Sequence, residues 1–268
     1  MSEHFDELEI RDPEVREQDL FQQLPELLDH AKNKAPGWAR LLSDVDAKAV
    51  TSPESLADLP VFRKSDLLEH QKKDPPFGGF TTVSTEKFGR VFMSPGPIWE
   101  PQGEGPDPWK GARSLFAAGF RPGDIIINAF AYHMTPGGFI FDTGARALGC
   151  AVFPAGIGNT EMQVEAIATL KPSGFAGTPD FLKVILDKAE ELGKDVSSLK
   201  RGLVGGAALP GSLRTWFAER GIPVLQTYAT ADLGIIAYET EAMEGMVRNA
   251  DFIVEIVKPG TGLPVAGC

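Results

Sequence analysis

The stretch Asp124-Ile125-Ile126-Ile127-Asn128-Ala129-Phe130 decides the fold, because it is an apolar run of strand length that opens a regular alternation. A helical pattern follows it at 138–148. Further strands are predicted at 150–154, 174–177, 202–204 and 222–226, and further helices at 160–170, 179–192 and 210–220. Strands that alternate with helices in this way are typical of right-handed βαβ units. The sequence therefore predicts an α/β fold with a mostly parallel sheet.

The segments on either side of this core predict smaller structures. An amphipathic helix is predicted at 14–32, two helix starts at Ser52 and Ser65, and loop with short strands at 75–109. Two antiparallel strands, 235–239 and 251–257, would begin a β subdomain that the chain leaves incomplete. We therefore expect three segments: 1–123 as a helical and loop region, 124–234 as the parallel core, and 235–268 as the β subdomain.

Composition narrows the class of protein. With 43% hydrophobic residues, the chain can bury a substantial core, and its net charge of −11 argues against a nucleic-acid partner. No apolar run reaches the roughly 18 residues of a membrane span, and the N-terminus lacks the pattern of a signal peptide. Cys150 and Cys268 are too few for a disulfide framework or a cysteine zinc site, so we expect a cytoplasmic protein without membrane partners.

Ligands of doubly wound sheets bind beyond the carboxyl ends of the strands. Here those ends are small, hydroxylated or glycine-bearing, at 132–138, 155–160, 178–179, 205–210 and 226–234. Small residues allow backbone N–H groups to approach a ligand, and helix N-termini favour anions. The alternative is that turns of this kind contain Gly, Pro, Ser and Thr for purely structural reasons.

The last of these segments, Gln226-Thr227-Tyr228-Ala229-Thr230-Ala231-Asp232-Leu233-Gly234, predicts a nucleotide site. A tyrosine ring can stack on a purine, a hydroxyl can contact phosphate, and a carboxylate can hold Mg²⁺. His133 is the histidine that stands at a strand end. Walker A, GxGxxG, GxSxG and HExxH patterns are absent, which disfavours P-loop kinases, classical dinucleotide binding and two hydrolase classes.

In these segments the chain resembles the phenylacetate–CoA ligase branch of the adenylate-forming, or acyl-CoA synthetase, enzymes. The resembling segments keep the same order, at 59–67, 117–124, 128–133, 158–164, 177–179, 205–210 and 226–234. The resemblance implies the N-terminal portion of such an enzyme. It also implies a two-step reaction, in which ATP activates a carboxylic acid as an acyl adenylate and CoA then displaces AMP.

The resemblance also implies roles for individual residues. The cofactor-binding set would be Gly205, Gly206, Ala207, Ala208, Leu209, Tyr228, Ala229 and Thr230, with Ser94 and Gly96 in the phosphate-loop region. The substrate-binding set would be Tyr132, His133, Thr135, Gly137 and Gly156. Asp232 would hold Mg²⁺, and Asp232, Thr230 and His133 would be catalytic. ATP or AMP, Mg²⁺ and CoA are the expected cofactors, and the resemblance permits a homodimer.

The chain also departs from the family pattern. Where a phosphate loop ending in Gly-Lys is usual, it has Ser94-Pro95-Gly96-Pro97-Ile98-Trp99-Glu100-Pro101. Proline lacks a donor, no lysine stands in the loop, and Glu100 is expected to repel phosphate unless it holds a metal. Ala231 replaces a hydroxyl residue, and the ribose-binding aspartate and the mobile C-terminal domain are not found.

Three functions therefore stay open at the level of sequence. The first is a carboxylate–CoA ligase, and the second is an adenylyl or acyl transferase that does not use CoA. The third is a nucleotide-binding module of the same fold without full catalysis, which the altered loop favours. The aromatic residues Phe130, Tyr132, Phe139 and Phe141 suit either an acyl pocket or the core.

Overall fold

The computed structural model of the chain describes residues 3–260 and residue 265. The chain forms two compact units: one combines Asp6–Gly103 with the residues from Ala250 onward, and the other combines Glu104–Asn249 with the N-terminal residues up to Phe5. The predicted segments 1–123, 124–234 and 235–268 do not coincide with these units and stay a prediction. Among the described residues, no helix has the length and apolar character needed to cross a membrane.

The first unit contains four helices in its N-terminal part. They are α1 (Pro13–Lys34), α2 (Pro36–Leu41), α3 (Pro53–Ala57) and α4 (Lys64–Lys73). Helix α1 confirms the prediction at 14–32, and the Asp12 carboxylate caps it by accepting from the backbone N–H groups of Glu14 and Val15. Helix α3 begins after Ser52, as predicted. Helix α4 begins at Lys64, one residue before Ser65, because the Asp66 carboxylate accepts from the Arg63 N–H at 3.2 Å.

The predicted loop at 75–109 contains an antiparallel hairpin of β1 (Val91–Ser94) and β2 (Ile98–Pro101). The predicted strand at 251–257 is wrong, since only Val257 makes an isolated bridge there. Its expected place beside the strand at 235–239 is taken by an earlier segment, residues 246–248.

The second unit carries the alternating elements in the predicted order. Its helices are α5 (Gly111–Ala117), α6 (Gly137–Ala147), α7 (Thr160–Leu170), α8 (Pro179–Glu191) and α9 (Gly211–Glu219). Its strands are β3 (Ile125–Asn128), β4 (Ala151–Phe153), β5 (Gly174–Gly177), β6 (Arg201–Val204), β7 (Val224–Thr230), β8 (Gly234–Glu239) and β9 (Met246–Arg248). They form one sheet in the order β4-β3-β5-β6-β7-β8-β9. Pairing is parallel from β4 to β7 and antiparallel for β8 and β9, which confirms the α/β prediction.

The sheet is covered on both faces. Helices α7, α8 and α9 pack their apolar side chains on one face, where Phe175, Leu182 and Phe217 are fully buried. The β3–α6–β4 connection runs along the sheet in the opposite direction from β5–α8–β6. Because such crossovers are right-handed, α6 lies on the other face. Cys150 is buried and free, and Cys268 lies outside the described residues.

This winding creates a topological switch point. Strands β3 and β5 are neighbours, yet the chain leaves β3 toward β4 and leaves β5 toward β6. The helices that follow the two strands therefore diverge to opposite faces and leave a crevice beyond the strand ends. Ligands of open α/β sheets bind in crevices of this kind.

Candidate functional site

The segment 226–234 is mostly strand, which corrects its prediction as a turn after a parallel strand. Strand β7 pairs in parallel with β6 as far as Val204 opposite Gln226, and then pairs antiparallel with β8 from Thr227 opposite Tyr238. The strand continues because a new neighbour supplies backbone partners as the old one ends. The register shifts between Tyr228 and Ala229, and only residues 231–233 form the turn.

This arrangement places the side chains of Tyr228, Thr230 and Asp232 in different surroundings. The Tyr228 side chain is 57% exposed, so its ring is accessible for stacking. The Thr230 hydroxyl accepts a hydrogen bond from the Leu233 N–H at 3.2 Å and closes the turn. Asp232 is exposed within that turn, and the half-buried Ala229 lies between Tyr228 and Thr230 on the strand.

Trp109 supports the same turn, although no pattern in the sequence predicts this. Its indole N–H donates to the Ala231 carbonyl at 2.9 Å, and its carbonyl accepts from the Ile235 N–H at 2.9 Å. Gly234 has φ +83° and lies so close to the Trp109 backbone that a side chain there would collide with it. Trp109 precedes the βαβ core in sequence, so no local pattern could have connected it with residues 231–235.

Residues 205–209, which we name the glycine loop, follow β6 beside Tyr228. The parallel register places Val204 opposite Gln226, so the residues that follow these two are neighbours. The Gly205 N–H donates to the Gly177 carbonyl at 3.2 Å, and a Cβ at Gly205 would stand 2.8 Å from the Thr227 hydroxyl. Gly206 has φ +73°; Ala207 and Ala208 are exposed, while Leu209 is buried. The structure thus brings the predicted adenine-lining residues next to Tyr228.

The glycine loop also borders the switch point. A Cβ at Gly206 would lie 3.8 Å from the Phe130 ring and 4.0 Å from the Thr178 methyl group. Phe130 follows β3, Thr178 follows β5, and the Phe130 ring stacks on Phe141 with centroids 4.3 Å apart. Phe141 is buried core, whereas Phe130 is half-buried at the edge of the crevice.

Tyr132, a predicted substrate-binding residue, directs its hydroxyl into the protein. The hydroxyl accepts from the Asn128 amide at 2.8 Å and donates to the Asp142 carboxylate at 3.1 Å. Burial, with the Asp142 charge, raises the pKa of the Tyr132 hydroxyl far above its usual value of about 10. These contacts hold the loop between β3 and α6, and a direct contact of Tyr132 with substrate stays a prediction.

The remaining predicted substrate residues lie around that loop. His133 is exposed, the Thr135 N–H donates to the His133 carbonyl at 2.6 Å, and Gly137 begins α6. Gly156, after β4, donates its N–H to the Asn128 carbonyl at 3.0 Å, which joins it to the end of β3. The buried Gln163 amide donates to the Gly156 carbonyl at 2.9 Å. No pattern in the sequence predicts this role for Gln163.

Ser94 and Gly96 belong to the other compact unit, in the β1–β2 hairpin. Glu100 in that hairpin is buried, accepts a hydrogen bond from the Ser94 hydroxyl and forms an ion pair with Lys64 of α4. Lys64, 36 residues away in the chain, therefore offsets the charge of Glu100, and the expectation that Glu100 would repel phosphate unless it held a metal stays a prediction.

The described residues contain no cluster of three or more His, Cys, Asp or Glu side chains that could hold a metal ion. A magnesium ion in a phosphate site needs only one or two protein carboxylates, since phosphate and water oxygens complete its coordination. The exposed carboxylate of Asp232 fits that limited requirement. Glu239 is a poorer ligand because it is buried and paired with Arg214 at 2.8 Å.

Comparison with known proteins decides the family. The model of the AMP-binding enzyme family matches residues 112–268, which include the whole parallel sheet and the glycine loop. The chain belongs to the AMP-binding enzyme family.

Within the AMP-binding family, the chain is similar to curated phenylacetate–coenzyme A ligases. It is 34% identical over 252 residues to that of Aromatoleum evansii, which covers 87% of this chain and 56% of the relative. It is 31% identical over 262 residues to that of Escherichia coli (strain K12), which covers 91% of this chain and 59% of the relative. The predicted resemblance to the phenylacetate–CoA ligase branch is confirmed, and the chain spans little more than half the length of these relatives.

A solved structure agrees on the fold of this AMP-binding chain. An open conformation of 2-hydroxyisobutyryl-CoA ligase, in complex with 2-HIB-AMP and CoA, superposes with a TM-score of 0.85 at 24% identity. The match covers 93% of this chain and 58% of that one. At this identity the comparison shows the fold alone.

Proposed function

We propose that the chain takes part in the ATP-dependent activation of a carboxylic acid and its transfer to CoA, as a phenylacetate–CoA ligase does. The observation that carries the proposal is the β6–β7 register, which sets the glycine loop beside the exposed ring of Tyr228. A flat aromatic face next to exposed backbone groups suits an adenine base. The curated relatives named above add the reaction class.

In the proposed reaction, a carboxylate oxygen attacks the α-phosphorus of ATP, and the bond to pyrophosphate breaks. The sulfur of CoA then attacks the acyl carbon, its thiol proton is lost, and AMP leaves. This chemistry needs orientation and charge stabilisation rather than a protein nucleophile. Tyr228 and residues 205–209 would hold the adenine, and Thr230 would lie on the phosphate side.

Asp232 is the proposed ligand of Mg²⁺, which when bound would neutralise phosphate charge. His133, Thr135, Gly137 and Gly156 would border the acyl group, with Tyr132 holding their loop in place. His133 is exposed, so its imidazole can reach a ligand. The catalytic role that we assign to it is to transfer a proton to or from the acid, or to make a polar contact with it. A cytoplasmic location and a homodimer are part of the same proposal.

One observation favours a second candidate, a nucleotide-binding module without full catalysis. The Ser94 hydroxyl donates to Glu100, and Glu100 pairs with Lys64 of α4, so these donors already have a partner within the protein. A phosphate group would have to compete with the buried carboxylate for both donors. Nucleotide binding in the sheet unit does not require this hairpin, whereas efficient pyrophosphate release would depend on phosphate donors.

Thermal unfolding with ligands tests the proposal. AMP, ATP–Mg²⁺ and CoA are added separately, and a ligand at a hundred times its dissociation constant should stabilise the native state by about 2.7 kcal/mol. We expect both nucleotides to raise the melting temperature, with GTP as the control. If no adenine nucleotide raises it, both candidate functions fail.

A second measurement separates the two candidates. Release of pyrophosphate that depends on phenylacetate, followed by formation of a CoA thioester, supports the ligase. Stabilisation by AMP without any release of pyrophosphate supports the binding module.

A further inference from the structure

A buried carboxylate, Glu239 on β8, organises the side chains next to the glycine loop. It accepts hydrogen bonds from the Gln226 backbone N–H at 2.9 Å and from the Gln226 side-chain amide at 3.0 Å. The Arg214 guanidinium donates to both Glu239 oxygens, at 2.8 and 3.0 Å, and to the Val224 carbonyl at 2.9 Å. Charge-assisted and bidentate bonds of this kind are strong and geometrically specific.

The carboxylate also determines which way the Gln226 amide points. An ionised carboxylate can only accept, so the NH₂ end of the amide must face Glu239. The opposite end, Oε1, is thereby presented to the glycine loop, where it accepts from the Leu209 N–H at 3.2 Å. The charge of Glu239 on β8 thus fixes the hydrogen bond between Gln226 and the glycine loop.

This bond completes the anchoring of the glycine loop. At its start, Gly205 donates to Gly177 of β5 and packs against Thr227. At its end, Leu209 is buried and tied to Gln226. Gly206, Ala207 and Ala208 lie between the two anchors with their surfaces exposed. A backbone held at both ends pays less conformational entropy when a ligand binds to its middle.

We propose that Arg214, Glu239 and Gln226 form a positioning network that holds the glycine loop ready for the adenosine part of a nucleotide. The inference rests on the proposed function, because it assumes that the loop binds adenine. The network residues act through Leu209 and need not touch the nucleotide. Loss of the network should lower the affinities for adenosine and for AMP by the same factor, because the glycine loop would contact the part that the two ligands share and not the phosphate.

The test compares Gln226→Met with a control variant, Asp124→Asn. Gln226→Met keeps the length of the side chain but removes the bond to Leu209. Asp124→Asn weakens the ion pair between Arg201 and Asp124, whose atoms are 3.1 Å apart. This pair lies where β3 and β6 begin, whereas the glycine loop lies where β6 ends. For Gln226→Met we expect the affinities for adenosine and AMP to fall about threefold to tenfold, the range of one hydrogen bond. For Asp124→Asn both should stay within about twofold of the unmutated chain, even if its melting temperature falls.

Calorimetric titration measures these affinities, and hydrogen exchange of the Leu209 amide provides an independent readout. Unchanged affinities in Gln226→Met, or equal losses in the two variants, would overturn the network. Glu239→Gln is the second variant if Gln226→Met fails to fold. It should also lower the affinity for both ligands, because the Gln226 amide then loses its fixed direction. If the unmutated chain binds neither ligand, the proposed function fails. Hydrogen exchange at Leu209 then still tests whether the network holds the loop. The Leu209 amide should exchange faster in Gln226→Met than in the unmutated chain, and at an unchanged rate in Asp124→Asn.

Discussion

At the residue scale, Asp232 is the group on which the metal assignment depends. It is exposed in a turn that is also held by Thr230 and by Trp109. We expect Asp232→Ala to weaken ATP–Mg²⁺ binding about tenfold or more, the range of an interaction with a charged group, and AMP binding by less than about twofold. Isothermal titration measures both affinities.

The control for this variant is Asp187→Asn, which removes an exposed carboxylate that pairs with Lys183 on α8. It should change neither affinity, because exposed ion pairs contribute little. Equal losses of ATP and AMP binding in Asp232→Ala would contradict the metal role of this carboxylate.

Tyr132 predicts a pH dependence of stability. Its pKa is raised in the folded protein, so the folded state keeps the hydroxyl proton at pH values where the unfolded chain, with a pKa of about 10, has lost it. The free energy of unfolding should therefore decrease as the pH rises above about 10. Below that pH, Tyr132→Phe should be less stable than the unmutated chain by about 1 kcal/mol, because Asp142 loses a hydrogen-bond donor.

Urea unfolding between about pH 8 and pH 11 tests this prediction. The difference in stability between the unmutated chain and Tyr132→Phe should shrink above about pH 10. Tyr228→Phe, at an exposed ring, controls for the loss of a tyrosine hydroxyl. A difference that stays constant over the whole range would show that burial of Tyr132 does not control its titration.

At the scale of elements, helices α5 and α6 meet through glycine. A Cβ on Gly144 would lie 2.6–2.8 Å from backbone atoms of Gly111 and Ala112. Alanine normally stabilises a helix relative to glycine, but here the added methyl group would push the two helices apart. We expect Gly144→Ala to lower the free energy of unfolding by about 1–3 kcal/mol, measured by denaturant titration.

Gly211→Ala is the matched control, because it begins α9 and a Cβ there meets nothing within 4 Å. It should be neutral or stabilising, by up to about 1 kcal/mol. The same substitution should thus destabilise the chain at Gly144 but not at Gly211, and equal effects would contradict the close approach of α5 and α6.

The elements of the parallel sheet follow from the sequence because their apolar periodicity is local. The exceptions lie where a strand changes its partner. Strand β7 extends through Tyr228 because β8 takes over the pairing, and β8 then pairs with residues 246–248 instead of 251–257. The residues 246–248 are largely exposed, so they lack the buried apolar pattern by which a strand is predicted.

At the scale of the whole molecule, the sheet unit contains a large buried apolar cluster. Phe217 of α9 is fully buried with Leu182, Ile185 and Phe175. Phe217→Ala should cost about 3–5 kcal/mol, a large part of the roughly 5–15 kcal/mol that stabilises a typical domain. Met162→Ala, at a side chain that is 72% exposed, should change stability by less than about 0.5 kcal/mol. Denaturant unfolding followed by circular dichroism measures both, and a small loss for Phe217→Ala would contradict close packing of this cluster.

The candidate site was predictable in part. Tyr228, Asp232 and the glycine loop were proposed because each was expected to follow a strand. The register of β6 and β7 brings the glycine loop beside Tyr228, which lies within β7, and the binding roles of these residues stay a prediction. The sequence did not predict the supporting residues, which are Trp109, Gln163 and the Arg214–Glu239 pair. Each of them contacts another segment of the chain, and no local pattern reveals such a contact. Tyr132 was proposed as a substrate-binding residue, but no sequence pattern predicted that its hydroxyl points toward Asp142.

The sequence by itself determined the α/β class, the order of the parallel elements and the resemblance to the phenylacetate–CoA ligase branch, because these depend on local periodicity and short motifs. Only the tertiary structure decided that β7 changes partner at Gln226, that Lys64 neutralises Glu100, and that Glu239 directs an amide toward Leu209. Each of these depends on which distant residues meet when the chain folds, and a buried charge or amide must find its partner wherever the fold supplies one.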